Sequence, residues 1–274
     1  VVTIALVYQA GRRLISPWTG LWAALLLALN PTAIVWGGRA RAYALLAFLS
    51  FLATWLFHTG VTSGNSRPRR LGLLILVVAV FVHPEAALLL PAFVVGALLL
   101  KGWHWWLSPG RLVELALTTA MILARFWLHA IVAQGRIGGM ETLVGSRPPV
   151  ELVNDWLFRL QRVTPFFQAA DQILWTVLAL LALVTVAASA LRHRQLDGRS
   201  QTILFFSVGL WLVPLEMILF LGSTYQSPRY LYMLLPIFAL LAASGLDWLV
   251  AGLNQLGRLG RQPTIVAGLA TVVL

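Results

Sequence analysis

The feature that most constrains this chain is a series of apolar stretches, each about as long as a lipid bilayer is thick. An α-helix rises about 1.5 Å per residue, so roughly 20 apolar residues cross the hydrocarbon core. The chain of 274 residues is 59% hydrophobic and 11% charged, whereas soluble domains carry about 25% charged residues. A water-soluble core does not accommodate that much apolar sequence. The pattern therefore predicts an all-α bundle of transmembrane helices.

The predicted spans are separated by polar or Gly/Pro-rich segments. Complete spans are predicted at 18–36, 42–58, 112–133, 173–191, 202–222 and 230–250. Residues 1–10 and 264–274 are apolar but too short to cross, so we interpret them as partial spans. The whole chain, residues 1–274, is predicted to form one transmembrane domain truncated at both ends.

Residues 71–100 allow two interpretations, a single long helix or a short membrane hairpin turning at His83-Pro84-Glu85. The hairpin gives a clear excess of bases on one side, as the positive-inside rule requires, and the single helix does not. Proline also disfavours helical geometry at the preceding residue, His83. We therefore predict a hairpin with its tip on the outer face. The cytoplasmic bases are then Arg12, Arg13, Arg67, Arg69, Arg70, Lys101, Arg111, Arg192, Arg194, Arg199, Arg258 and Arg261, against Arg39, Arg41, Arg136, Arg147, Arg159, Arg162 and Arg229 outside.

One long outer loop is predicted over residues 134–172. Within it, Val150–Val163 places apolar side chains on one face and charged side chains on the other. This profile is typical of a helix that lies in the membrane interface. Asp155 and Arg159 are four residues apart in this helix and are spaced to pair.

Composition excludes several classes of function. The chain has no cysteine, which rules out disulfides, thiol nucleophiles and thiolate metal sites. Its net charge of +11 would suggest nucleic acid in a soluble protein. Here the bases lie in short loops between apolar runs, which is the charge pattern of a membrane protein, so we predict no nucleic-acid partner.

Ionisable side chains are costly inside a membrane and persist where they line a cavity or find partners. In the predicted topology they concentrate in the outer half of the bundle, where guanidinium groups are placed to bind a lipid phosphate. Two alternatives stay open: terminal arginines also serve as snorkelling anchors, and Arg125 is equally suited to a structural ion pair with Glu216. The residues of this outer set are Arg39, Arg41, Tyr43, His83, Glu85, Arg125, Glu216, Arg229 and Tyr230.

Three segments resemble the GT-C superfamily of glycosyltransferases, polytopic enzymes related to protein O-mannosyltransferases and lipid A aminoarabinose transferases. The first is Leu21–Pro31 (LWAALLLALNP) followed by Arg39–Leu45 (RARAYAL). The second, His83–Pro91 (HPEAALLLP), resembles the short membrane hairpin of that family. The third, Pro228–Leu231 (PRYL) with Leu235-Pro236 after it, resembles the entry to a late span.

The resemblance implies a multi-pass enzyme of the inner (cytoplasmic) membrane that serves the cell envelope. It would move a sugar from a polyprenyl-phosphate donor to a lipid, glycan or protein acceptor at the outer (periplasmic) face. By position, Arg39, Arg41 and Arg229 would bind the donor phosphate, and Tyr43, His83, Glu85 and Tyr230 would line the pocket with Arg125 and Glu216. The family's catalytic acid lies in an outer loop that we expect upstream of Val1, which leaves Glu85 and Asp155 as candidates here.

Some members of that family bind a divalent metal. His83 and Glu85 offer two suitable ligands, fewer than a closed metal site uses, so no cofactor is certain and a divalent metal stays an open alternative. Two other functions remain open. A secondary transporter would use Arg125 and Glu216 at a midplane site. An O-antigen polymerase or ligase would use a pair of loop arginines such as Arg159 and Arg162.

Overall fold

The computed structural model describes residues 1–38, 42–133, 157–169, 172–193, 196–220 and 228–259. Within these ranges the chain is almost entirely helical and contains no β-strand, which confirms the all-α bundle. The helices are α1 (Val2–Leu14), α2 (Pro17–Leu29), α3 (Pro31–Gly38), α4 (Tyr43–Ser63), α5 (Ser66–Val82), α6 (Leu89–Lys101), α7 (Pro109–Ala133), α8 (Ile173–His193), α9 (Gly198–Phe220) and α10 (Leu235–Leu259).

Shorter elements connect these helices at both ends of the bundle. Segments of 3-10 helix precede α6 and α10, and another follows α6. A short helical turn leads into α8 after the helical residues 157–163. The bounds are Pro84–Leu88, Trp103–Trp105 and Pro228–Leu234 for the 3-10 segments and Pro165–Gln168 for the turn.

Five segments are long and apolar enough to cross a membrane, which supports a multi-pass membrane protein. A sixth candidate consists of α2 and α3, which are bent by 61° relative to each other. The predicted span 18–36 is therefore not one straight helix. Asn30 ends α2, and its side-chain oxygen accepts a hydrogen bond from the Ala33 amide, which starts α3 after Pro31. The five segments are Tyr43–Ser63, Pro84–Lys101, Ile173–Arg192, Gly198–Leu219 and Arg229–Asn254.

The chain folds back at His83, as the hairpin interpretation requires. Helix α5 ends at Val82, and His83 adopts an extended conformation before the 3-10 segment. An unbroken helix from Ser66 to Lys101 would hold its ends about 50 Å apart. Instead, the Arg69 guanidinium carbon lies 5.5 Å from the centre of the Trp105 ring. The beginning of α5 and the end of α6 therefore lie at the same end of the bundle.

Two ends of the bundle can be distinguished by the contacts that tie them. At the first, which we call the basic end, Asp247 accepts hydrogen bonds from Ser16 (2.7 Å), Thr19 (3.0 Å) and Arg199 (3.1 Å). Helix α2 starts at this end, and α4 starts near the opposite end of α2, so α4 finishes at the basic end. Helix α5 begins there, and the Arg69–Trp105 contact therefore lies at the basic end too. The opposite end carries the start of α4, the hairpin tip and the 3-10 segment before α10. We call it the site end.

Helices approach one another most closely where glycine faces a neighbouring backbone. A Cβ atom at Gly245 would overlap the carbonyl oxygen of Leu178, so α10 and α8 are in backbone contact there. Gly60 of α4 meets the backbone of Arg69 in α5 in the same way. Small residues at helix crossings are the usual means by which membrane helices pack, since lipid provides little hydrophobic drive for association.

Candidate active site at the site end of the bundle

Three segments that are distant in sequence meet at the site end. Tyr43 opens α4, His83 and Glu85 lie at the hairpin tip, and Arg229 and Tyr230 begin the 3-10 segment before α10. Each of these residues was predicted from sequence as part of the site. The structure brings these five into one cluster because each marks the point at which a helix begins or ends.

Aromatic rings form the floor of this cluster. The His83 ring centre lies 5.5 Å from that of Tyr43 and 5.6 Å from that of Tyr230. Trp36 packs edge-on against Tyr43 at 5.3 Å. Tyr43 and Tyr230 are buried. Such contacts hold the rings in fixed positions and leave polar tips available at the surface.

Arg229 is the cation of the cluster. Its Nη2 atom donates a hydrogen bond of 2.9 Å to the Tyr230 hydroxyl, and its guanidinium carbon lies 4.9 Å from the centre of that ring. Its Nε atom is buried and has no hydrogen-bond partner among the described residues. A guanidinium held on one edge by tyrosine retains donors for a second ligand. An oxyanion such as phosphate fits this donor pattern.

His83 and Glu85 form a pair beside this cation. Nδ1 of His83 contacts a carboxylate oxygen of Glu85, and the Glu85 side chain is buried. Burial and the nearby positive charge of Arg229 lower the pKa of His83, which lies in the linker at the hairpin tip, below its ordinary value of 6.5. At neutral pH the imidazole is therefore uncharged and able to exchange a proton with a carboxyl group.

An apolar cavity of about 290 Å³ opens next to the cluster. It lies between the start of α1, α2, α3, the first turns of α4 and the start of α10 with the 3-10 segment before it, and Ala44 and Ala47 place it within a turn of Tyr43. The Tyr232 hydroxyl lines it and donates a hydrogen bond of 3.2 Å to the Ala33 carbonyl. Its lining is almost entirely aliphatic, so it suits part of a hydrocarbon chain.

Several predicted site residues do not belong to this cluster as the structure describes it. Arg39, Arg41 and Asp155 lie outside the described residues. Arg125 lies on α7, with its guanidinium 6.0 Å from the centre of the Phe81 ring. Glu216 is buried near the end of α9, and its Oε1 atom has no hydrogen-bond partner in the described chain.

The suggested ion pair between Arg125 and Glu216 is wrong. No salt bridge joins them, because α7 packs against α5 whereas α9 packs against α1, α4, α6, α8, α10 and the 3-10 segments before α6 and α10. Depth along two helices places residues at one level in the membrane. It does not make those helices neighbours.

The outer helix is only partly described. Residues 157–163 are helical, and Val163 is buried while Leu157 and Leu160 are exposed. The predicted pairing of Asp155 with Arg159 lies outside the described residues. Arg159 donates a hydrogen bond of 3.2 Å to the Ile218 carbonyl near the end of α9, and Arg162 lies 4.8 Å from the Phe158 ring centre. The Arg159 hydrogen bond ties the helix to the bundle, whereas the Arg162 contact lies within the helix itself.

Two aromatic residues of the site were not predicted from sequence. Trp36 and Tyr232 contact the cluster and the cavity, but aromatic residues at span ends are also typical of interfacial belts. The only signal in the sequence for Tyr232 was that it lies two residues after Tyr230 in the same short segment. Their roles depend on the bend at Asn30-Pro31, which turns α3 towards the start of α10.

The described residues do not form a metal site. No group of three or more His, Cys, Asp or Glu side chains in these ranges is placed to hold an ion. Within the cluster, His83 and Glu85 contact each other and no third ligand accompanies them.

Comparison with known proteins supports a membrane glycosyltransferase. Residues 1–129 match the family described as dolichyl-phosphate-mannose-protein mannosyltransferase. No curated protein and no solved structure matches the chain significantly. The matched region contains α1 to α6 and most of α7, and therefore the two segments that contribute Tyr43, His83 and Glu85 to the cluster. The first 129 residues are thus similar to this family, and this similarity supports a membrane glycosyltransferase.

Proposed function

We propose that the chain transfers a sugar from a polyprenyl-phosphate donor to an acceptor at the outer face of the membrane. The supporting observation is that a cation with unused donors lies beside an apolar cavity at one end of the bundle. A polyprenyl phosphate has the same two parts, an anionic head and a hydrocarbon chain. The dolichyl phosphate in the name of the matched family is such a carrier.

Arg229 would bind the donor phosphate in this proposal. Its Nε atom points to no described protein partner, while Tyr230 holds Nη2 in place. Arg39 and Arg41 precede Tyr43 directly in sequence and would add two further cations to the same end. The cavity lined by Ala44, Ala47 and Tyr232 would hold the first isoprene units.

The reaction needs a base and a stabilised leaving group. A nucleophilic atom of the acceptor bonds to the anomeric carbon while the bond from that carbon to the phosphate oxygen breaks. Polyprenyl phosphate leaves with the electron pair, and Arg229 stabilises the negative charge that develops on it. The acceptor proton passes to a carboxylate. Glu85, in contact with neutral His83, is the carboxylate that the described cluster contributes.

The outer location is supported by the distribution of charge. Under the hairpin topology, the end opposite the cluster carries most of the basic loops, including those at Arg69 and Arg199. Basic loops are retained on the cytoplasmic side. The cluster would then face the periplasm or its equivalent, on the outer side of the inner (cytoplasmic) membrane.

The experiment is substitution of Arg229 with a matched arginine as control. Arg229→Gln should lower sugar transfer from a polyprenyl-phosphate donor by about 100-fold or more, because one stabilising donor typically contributes that much. Arg192→Gln removes the same charge from the exposed end of α8 at the basic end and should leave transfer unchanged. Equal activity of the Arg229→Gln protein and the unmodified protein would refute the assignment.

The two alternatives identified from sequence gain no support. A polymerase or ligase site would need free loop arginines, whereas Arg159 and Arg162 contact Ile218 and Phe158. A transporter site was based on Arg125 beside Glu216, and these residues lie on helices that do not pack together. Glycosyl transfer, in contrast, is supported by the observed contacts of Arg229 and by the cavity beside it.

A further inference from the structure

The basic end carries a cluster of charges that the proposed reaction does not use. It is formed by the start of α5, the end of α6, the 3-10 segment Trp103–Trp105 and the start of α7. Across residues 64–71 and 101–116 the sequence has five bases and a single acid, Glu114, which leaves a formal charge of +4. We call this surface the basic ridge; its bases are Arg67, Arg69, Arg70, Lys101 and Arg111.

Glu114 neutralises the buried part of the ridge and leaves the exposed part charged. It accepts two hydrogen bonds from the buried Arg69, from Nε at 2.8 Å and from Nη2 at 3.0 Å. Arg70 reaches the same carboxylate only through Nε, at 2.7 Å, and its side chain is 64% exposed. Arg67 and Lys101 are also exposed. The terminal nitrogens of Arg70 are thus available for another anion.

Tryptophan side chains accompany these charges. Trp103 is 60% exposed, and its ring packs 4.5 Å from that of His104. Trp105 lies between two cations, with Arg111 at 4.3 Å and Arg69 at 5.5 Å from its ring centre. Arg111 also donates a hydrogen bond to the Trp105 carbonyl. These contacts fix the 3-10 segment and leave Trp103 projecting from it.

We propose that the basic ridge binds the headgroup of an anionic phospholipid. The exposed Arg67, Arg70 and Lys101 would contact the phosphate, and Trp103 would insert at headgroup depth, where indole rings are favoured. Free phosphate would satisfy the charges but would leave the exposed indole without an apolar partner. The ridge lies at the opposite end of the bundle from Arg229, so it is separate from the donor site and independent of the proposed reaction.

The test compares lipid binding by the purified, detergent-solubilised chain and two double variants. Native mass spectrometry would count bound phosphatidylglycerol, phosphatidylcholine and, in a separate arm, inorganic phosphate. Arg67→Gln with Arg70→Gln removes two exposed charges from the ridge. Arg12→Gln with Arg13→Gln removes two exposed charges from the last turn of α1, and serves as the matched control.

The unmodified chain should prefer phosphatidylglycerol to phosphatidylcholine by about 10-fold or more, since each base near an anionic membrane surface raises the affinity by a factor of roughly five. The ridge variant should lose most of that preference and the control variant should keep it. Trp103→Ala provides a second variant that alters no charge and should also weaken phosphatidylglycerol binding.

Three results would overturn the proposal. Equal loss in the ridge and control variants would mean that the chain attracts anionic lipid only through its overall charge. Binding of inorganic phosphate as tight as that of phosphatidylglycerol would assign the ridge to a soluble anion. Retention of the full preference by both the ridge variant and Trp103→Ala would place lipid binding elsewhere.

Discussion

At the scale of single residues, the account depends on how His83, Tyr43, Tyr230 and Arg229 share one small volume. The two tyrosine rings hold the imidazole, and the guanidinium beside it disfavours a second positive charge. A neutral imidazole next to a buried carboxyl group suits proton exchange. It also makes the site sensitive to acid, because protonation of His83 would place two cations side by side.

This arrangement predicts a pH-dependent stability. Burial and Arg229 lower the pKa of His83 in the folded chain, so between that value and 6.5 the unfolded chain binds a proton that the folded chain does not. Stability should therefore fall as the pH drops below about 6.5. Thermal unfolding in detergent, measured above and below this pH for the unmodified chain and for His83→Gln, checks it. A pH-dependent loss of the same size in both proteins would contradict the assignment to His83.

Where membrane depth and the family resemblance agreed, the predicted residues lie together in the structure. Tyr43, His83, Glu85, Arg229 and Tyr230 all lie at helix ends, and helix ends at one level of a bundle meet. Membrane depth did not correctly predict a contact between Arg125 and Glu216, because a linear sequence does not specify which helices are neighbours. The roles of the five clustered residues stay predictions.

At the scale of elements, close crossings between helices hold the site in place. Helix α10 follows the 3-10 segment that carries Arg229, and it meets α8 at Gly245 with backbone against backbone. The start of α2 is tied to α10 through Ser16 and Asp247. Displacement of α10 would therefore move Arg229 relative to Tyr43. The bend at Asn30-Pro31 was predictable from the residues, but its angle was not, because it depends on what α3 packs against.

A matched pair of glycines in α10 tests the importance of this crossing. Gly245→Ala places a methyl group into the Leu178 carbonyl and should destabilise the chain by about 1–3 kcal/mol. Gly252→Ala meets no atom within 4 Å and should be neutral or stabilising by up to about 1 kcal/mol, because alanine favours the helix. Unfolding by sodium dodecyl sulfate, followed by circular dichroism, measures both. Equal stability of the two variants would show that α8 and α10 are not in close contact.

At the scale of the whole molecule, the chain separates two kinds of chemistry. One end gathers aromatic rings, a cation and an apolar cavity, and the other carries basic loops and the network around Asp247. Charge counting predicted this polarity because lipid enforces it: bases are retained on one side, and the hairpin at His83 decides which loops share that side. Sequence did not predict the cavity, since its walls come from six separate elements.

The hairpin can be tested directly because the chain has no cysteine. Single substitutions Asn65→Cys and Ser108→Cys lie on either side of the hairpin, and both should react with a membrane-impermeant maleimide from the same face. Gly38→Cys, at the exposed end of α3, should react from the opposite face. Labelling of sealed inside-out and right-side-out vesicles gives the answer. Reaction of Asn65→Cys and Ser108→Cys from opposite faces would mean that residues 66–101 cross the membrane once.

The central claim is that the cluster around Arg229 binds the phosphate of a lipid carrier whose hydrocarbon chain enters the adjacent cavity. The most direct measurement is photo-crosslinking with a polyprenyl phosphate that carries a diazirine on its first isoprene unit, followed by peptide mapping. The account predicts crosslinks to α4 near Ala44 and Ala47 and to the segment around Tyr232, all of which should be lost in Arg229→Gln. Crosslinks confined to the basic end, or unchanged by Arg229→Gln, would contradict it.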